Sequence, residues 1–229
     1  MKINVIIPVF NESGSIGSVL RDIPLGISEE VIVVNNGSTD NTAQIAKEGG
    51  ATVLLETTRG YGSACLRGIM YIKQKPAENQ PDVVVFLDGD YSDYPGQMNE
   101  IVKPIEEGGY DMVIGSRSKG NRAVGSMQPQ QVFGNWLATT LMKLFVGAKF
   151  SDLGPFRAIR WQKLLELEMK DTNYGWTVEM QIKAAKKKLK YIEVPVDYRK
   201  RIGKSKITGT IKGTIMAGYK ILITIFRYI

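Results

Sequence analysis

Histidine does not occur in this 229-residue chain, and cysteine occurs once, at Cys65. The first absence excludes any mechanism built on a Ser-His pair, a histidine general base or a histidine-ligated zinc, so a metal would have to be held by oxygen ligands. The second excludes an internal disulfide and fits a reducing compartment; Cys65 itself reads as a small core residue. The opening apolar run, residues 3–9, is short and broken by Pro8, too little for a signal peptide, so a cytoplasmic protein is expected. Internal repeats and low-complexity linkers are absent as well.

What is present suits one folded domain with a substantial core, 43% hydrophobic and 23% charged. The net charge of +7 is unevenly spread: from Lys186 onward twelve Lys or Arg face only Glu193 and Asp197. A basic end on a near-neutral body reads either as a docking surface for an anionic partner, phospholipid headgroups or nucleic acid, or as a solvated basic face. No nucleic-acid partner is expected, because interleaved aromatics and a recognisable reading module are missing.

Apolar β-rich runs at 3–9, 31–34, 51–55, 83–87 and 112–114 alternate with segments of helical spacing such as Ile16-Val19-Leu20-Ile23. That alternation predicts a doubly wound, mostly parallel sheet covered by helices on both faces. Ser38 and Thr39 are expected to cap the helix that Gly49-Gly50 ends. Further on, 130–147 and 177–187 read as helices, 156–159 and 191–196 as strands. Ligands of such sheets sit beyond the carboxyl ends of the strands. The residues there are Phe10-Asn11-Glu12, 35–40, Asp88-Gly89-Asp90 and Gly115-Ser116-Arg117.

Asp88-Gly89-Asp90 follows the buried-strand run Val83-Val84-Val85-Phe86-Leu87, which places both carboxylates at the strand's end, with Asp93 close behind. Two aspartates separated by one small residue can face a single cation, and Mg²⁺ or Mn²⁺ prefers such hard oxygens together with phosphate. The pattern reads as a metal-diphosphate site; a plain Asp-Gly-Asp turn is the rival explanation.

Pro8-Val9-Phe10-Asn11-Glu12, Val33-Val34-Asn35-Asn36-Gly37-Ser38-Thr39-Asp40, Phe86-Leu87-Asp88-Gly89-Asp90 and Gly115-Ser116-Arg117 resemble the successive motifs of family 2 glycosyltransferases with the GT-A fold. Ser151-Asp152-Leu153-Gly154-Pro155-Phe156-Arg157 and Arg201-Ile202-Gly203-Lys204-Ser205-Lys206 are similar to segments of dolichol-phosphate mannose synthases and bacterial polyprenyl-phosphate glycosyltransferases. The chain departs from that pattern in having Asn35-Asn36 where paired acidic residues are usual and Ser92 where a glutamine is common. An amide offers both donor and acceptor, so base contact through Asn36 would survive with altered preference.

The resemblance implies an α/β GT-A (Rossmann-like) domain over 1–200, then a basic loop and amphipathic membrane-associating tail over 201–229. It implies an inverting transfer from a nucleoside-diphosphate sugar, of GDP-mannose or UDP-glucose type, to a polyprenyl or dolichyl phosphate. The enzyme would be peripheral on the inner membrane face, with Mg²⁺ or Mn²⁺ on Asp88 and Asp90 and oligomeric state open. The implied nucleotide-sugar positions are Pro8, Phe10, Asn11, Glu12, Asn36, Asp40, Gly60, Asp88, Gly89 and Asp90. Arg157, Arg201, Lys204, Ser205 and Lys206 would hold the acceptor phosphate, and Asp152, Arg117, Arg157 and Glu179 form the catalytic set. A phosphate acceptor needs no strong base, whereas a saccharide or lipid hydroxyl, the alternative acceptor, would need Asp152 or Glu179. A non-catalytic nucleotide-binding membrane protein is the reading from another class.

Each assignment has a plainer rival. Arg157 either holds phosphate or bridges secondary elements, Glu179 is either a base or a helix-surface residue, and Trp176 either stacks on sugar or fills the core. Gly60-Tyr61-Gly62 is either a base-side loop or a turn opening a helix. The tail offers only about nine residues between Gly218 and Arg227 against the roughly twenty that a span needs. It is expected to lie on a membrane with Ile211, Ile215, Tyr219, Leu222 and Phe226 along one side, or else to pack as an ordinary C-terminal helix.

Overall fold

The computed structural model describes residues 1–203 and 211–228. The β-rich runs become β1 (Ile3–Val9), β2 (Glu30–Asn35), β3 (Thr52–Leu55), β4 (Val83–Phe86), β5 (Met112–Ser116), β6 (Arg157–Arg160) and β7 (Tyr191–Pro195). They form one seven-stranded sheet in the order β3-β2-β1-β4-β6-β5-β7. Parallel pairing holds for β3-β2, β2-β1, β1-β4 and β5-β7; β6 alone runs antiparallel, between β4 and β5.

Side chains alternate along each strand, so the central strands feed two cores. Ile6, Val84 and Phe86 point to one side, Val5, Ile7 and Val85 to the other. The helices that cover them are α1 (Ile16–Asp22), α2 (Thr42–Glu48), α3 (Tyr61–Lys73), α4 (Met98–Gly108), α5 (Pro129–Val146), α6 (Trp161–Leu167), α7 (Trp176–Lys186) and α8 (Ile211–Tyr228).

Two local expectations need correction. The helix after β2 begins at Thr42 rather than beside Ser38 and Thr39: Asp40 accepts from the Thr42 backbone and hydroxyl at 3.1 and 2.5 Å, while Ser38 Oγ accepts from Asn11 N. The helix α4, which holds Pro104 inside it, was not among the expected helices. Proline costs a helix interior about 3 kcal/mol, but Met98, Ile101, Val102 and Ile105 are all buried at helical spacing, each worth about 1.5–3 kcal/mol. Packing wins.

The C-terminal helix docks on the body. It packs against α5 and α7, with the Phe145 and Phe226 rings 6.0 Å apart, Lys220 paired to Asp171 at 3.2 Å, and Thr224 and Ile225 buried. Among the described residues no helix is long and apolar enough to cross a membrane.

Candidate functional site

The carboxyl ends of β1, β2 and β4 and the start of α3 surround a cavity of about 330 Å³. Eight of the ten nucleotide-sugar positions line it: Pro8, Phe10, Glu12, Asn36, Gly60, Asp88, Gly89 and Asp90. Gly89 cannot carry a side chain here, since a Cβ would stand 2.5 Å from Val9 Cγ1. The aspartates therefore sit close above β1. Asp88 Oδ1 accepts from the Tyr61 hydroxyl at 3.0 Å, and Asp90 Oδ1 from Ser92 N at 2.9 Å and from its hydroxyl at 2.5 Å. Burial, with the neighbouring Asp90 charge next, raises the Asp88 carboxyl to about 7.

Arg201 closes this cavity from the side. Its guanidinium reaches Glu12 at 3.0 Å and Asp90 at 3.2 Å, so of the expected acceptor-phosphate ligands this one faces the carboxylates instead. Lys204, Ser205 and Lys206 lie outside the described residues.

The far end of the cavity is built around Asn36. Its Nδ2 donates to the carbonyls of Glu56 and Thr58, and its Oδ1 accepts from Gly60 N, so the amide shapes the 56–60 turn. Arg59, which sequence reasoning passed over, donates to Asn36 O at 2.8 Å and stacks on Phe10 with Cζ 3.8 Å from the ring centroid. The turn does open a helix, but Ser63 N is spent on Thr172 O. Gly62 is tied to the same segment: a Cβ there would meet Asp171 O at 2.0 Å. That contact brings Asn173 and Tyr174, also unflagged by any periodicity, to the cavity wall.

A second cavity, about 270 Å³, shares Tyr61, Asp88 and Tyr174 with the first and opens between α5 and α8. Arg117 lines it at the end of β5 and forks onto Asp152, with Nη2 at 2.6 Å from Oδ1 and Nε at 3.0 Å from Oδ2, while its own backbone N–H donates to Oδ2 at 2.7 Å. Burial opposes a charge on Arg117, yet the Asp152 carboxylate holds its pKa above the ordinary value. The Tyr198 ring lies under the guanidinium, 5.0 Å from Cζ to centroid.

Five of the expected site residues line neither cavity: Asp152, which meets the second only through Arg117, and Asn11, Asp40, Arg157 and Glu179. Asn11, at φ 53°, ties the β1 and β2 loops through Ser38 and Thr39, and exposed Asp40 is taken up by Thr42 at the start of α2. Arg157 is fully buried and donates to the carbonyls of Leu153, Gly154 and Thr177; burial lowers its pKa to about 10. Glu179 is buried, not a surface residue: it accepts from Lys170 N, Asp171 N and the Tyr228 hydroxyl and pairs with Lys183 at 2.6 Å. Trp176 is buried, its ring edge-on to Phe86 with centroids 5.8 Å apart, and it also borders the second cavity.

The donor set suits a divalent cation. Among the described residues no three acidic or thiol side chains converge as a cage, but Mg²⁺-like ions are held by one or two carboxylates plus phosphate and water. Two further features fit. Arg201 already shows that Asp90 and Glu12 draw positive charge, and both oxygens of buried Asp93 lack a hydrogen-bond partner. Burial, then Asp88 and Asp90, push the Asp93 carboxyl well up.

A family model described as glycosyl transferase family 2 matches residues 4–167. An uncharacterized glycosyltransferase of Mycobacterium tuberculosis is 33% identical over 222 residues, 94% of each chain. A dolichyl-phosphate hexose transferase of Haloferax volcanii is 33% identical over 207 residues, 89% of this chain and 85% of its own length. The crystal structure of glucosyl-3-phosphoglycerate synthase from Mycobacterium tuberculosis with Mn²⁺, uridine diphosphate and glucosyl-3-phosphoglycerate superposes with a TM-score of 0.75 at 22% identity, over 99% of this chain and 79% of that one. The likeness to that structure is one of fold.

Proposed function

This chain belongs to glycosyltransferase family 2, and from that membership we propose an inverting, cation-assisted transfer of a hexose from a nucleoside-diphosphate sugar to a polyprenyl or dolichyl phosphate at a membrane surface. The observation that carries this reading is the junction of the two cavities at Asp88, Tyr61 and Tyr174. One side is lined by carboxylates and the stacked Phe10–Arg59 pair, the other by Arg117, by apolar side chains such as Leu153, Trp176 and Ile221, and by the amides of Gln130, Gln131 and Asn135.

In this reading the nucleoside lies toward Phe10 and Arg59, and the diphosphate toward Asp88 and Asp90. Asp88 and Asp90 would hold a Mg²⁺ or Mn²⁺ ion, which would supply charge neutralisation for the departing diphosphate. Arg117, pre-set by Asp152, presents a fixed cation to the acceptor phosphate in the second cavity, where little reorganisation is required. An acceptor phosphate oxygen attacks the anomeric carbon from the side opposite the diphosphate; that bond forms as the carbon–oxygen bond to the diphosphate breaks.

A phosphate monoester has a second pKa of about 6 and is largely a dianion near neutrality, so it needs no base. A hydroxyl acceptor would. The two candidate bases are both engaged, Asp152 by Arg117 and Glu179 by Lys170, Asp171, Lys183 and Tyr228, which favours the phosphate acceptor.

Incubation with labelled UDP- and GDP-sugars and a detergent-solubilised polyprenyl phosphate, followed by organic extraction, is expected to place label in the lipid for one donor class. Label appearing only on hydroxyl acceptors would overturn the phosphate reading. The Arg59→Ala variant is expected to weaken nucleotide binding about tenfold by calorimetry while the fold is kept, because Arg59 is exposed and its ring partner Phe10 is only half-buried.

A further inference from the structure

The outer faces of α5 and α8 are apolar where solvent-facing helices are ordinarily polar. Phe133, Trp136 and Leu144 of α5 are 58, 58 and 72% exposed, and with Thr140 they recur at helical spacing along one side. On α8, Met216, Tyr219 and Phe226 are 50, 59 and 62% exposed. The two helices pack together, and the contact of Phe145 with Phe226 joins the exposed set of α5 to that of α8. A patch of large exposed aromatic and aliphatic groups marks an interaction surface.

Charge identifies the occupant. Neither helix contains a single Asp or Glu across its 18 residues, while exposed Lys143 and Arg227 stand beside the Phe145–Phe226 contact. Apolar and aromatic side chains bordered by cations, on helices too polar to span, are the features of a surface that settles into the headgroup zone of an anionic bilayer. The second cavity opens between the same two helices, at Gly134 and Gly218, where a Cβ would meet nothing within 4 Å.

We propose that α5 and α8 together form the membrane seat of this protein, with an anionic lipid leaflet as the occupant, so that the acceptor cavity opens directly onto the bilayer. The proposal deepens the lipid-phosphate reading and rests on it for the identity of what enters that cavity. It moves the membrane contact from the C-terminal tail alone to a surface in which α5 carries the largest exposed groups.

The full chain is expected to cosediment with phosphatidylcholine vesicles containing phosphatidylglycerol, less with pure phosphatidylcholine, and less at high salt. Trp161 and Trp176 are 1% exposed, so a blue shift of tryptophan emission on adding vesicles reports Trp136 entering lipid. Phe133→Ser with Leu144→Ser is expected to lower the partition coefficient more than about tenfold, with nucleotide affinity unchanged. Equal vesicle binding by the double variant would return the contact to the tail and overturn the proposal. So would a wild-type chain that stays in the supernatant, or a concentration-dependent dimer that the double variant dissolves without any vesicle binding. Transfer in detergent is independent of vesicle binding: its failure beside intact sedimentation removes the acceptor reading and leaves the seat standing.

Discussion

Asp90→Asn is expected to lower the transfer rate by about a thousandfold, and excess chelator to do the same to the wild type. Removing one preorganised group that meets developing charge costs on the order of 3–4 kcal/mol, and here the lost oxygen also belongs to the cation site. The variant keeps the volume of the side chain and can keep the Ser92 contact, so the fold survives while cation-dependent nucleotide binding falls. Wild-type turnover in either arm would remove the cation from the mechanism. The pH profile gives an independent check. Asp88 titrates near 7 because burial and Asp90 disfavour its charge, and a cation must displace that proton. Mn²⁺ affinity is therefore expected to rise about tenfold per pH unit up to roughly pH 7 and then level off.

The same shift has a stability sign. The Asp88 carboxyl is raised from 3.8 to about 7, so across that window the folded chain binds a proton that the unfolded chain does not. Stability of the cation-free protein from this group is thus highest at low pH and falls as pH rises through the window. Melting curves in chelator should show that slope, and Asp88→Asn should flatten it.

Arg117→Ala is expected to destabilise the protein by about 3–5 kcal/mol as well as to suppress transfer. Asp152 is fully buried, and its two oxygens take three hydrogen bonds from Arg117, two of them from the guanidinium. Deleting the cation leaves a buried carboxylate with only the backbone donor. The double variant Arg117→Ala with Asp152→Ala should be less destabilised than the sum of the singles, since no orphaned charge remains. Denaturant unfolding measures both; strict additivity would mean the pair is not a unit.

The strand-end motifs were legible because strands declare themselves through short apolar runs, and the carboxyl end of a parallel strand is a fixed place in the fold. Phe10, Glu12, Asn36, Asp88 and Asp90 were found that way, and the structure gathers them in one cavity. Arg59, Asn173 and Tyr174 were missed: they sit in turns without period, and reach the cavity only through close contacts such as Gly62 against Asp171. Arg157 and Glu179 carry the reverse lesson. Their charge and motif suggested chemistry, but each lies at 0% exposure with its polar atoms spent on backbone groups and, for Glu179, on Lys183 and Tyr228. Burial is a property of neighbours distant in sequence, which no local pattern contains.

By itself, the sequence determined that this is a doubly wound α/β protein without histidine chemistry, with a carboxylate couple at the end of a buried strand, because hydrophobic period and residue type are local quantities. The tertiary structure alone decided which charges face a cavity and which are tied off, that β6 runs against its neighbours, that Arg201 turns toward Glu12 and Asp90, and that the last helix docks beside α5 to leave an apolar face outward. Those outcomes depend on which surfaces meet across the chain, and long-range packing fixes them after the local preferences have been spent.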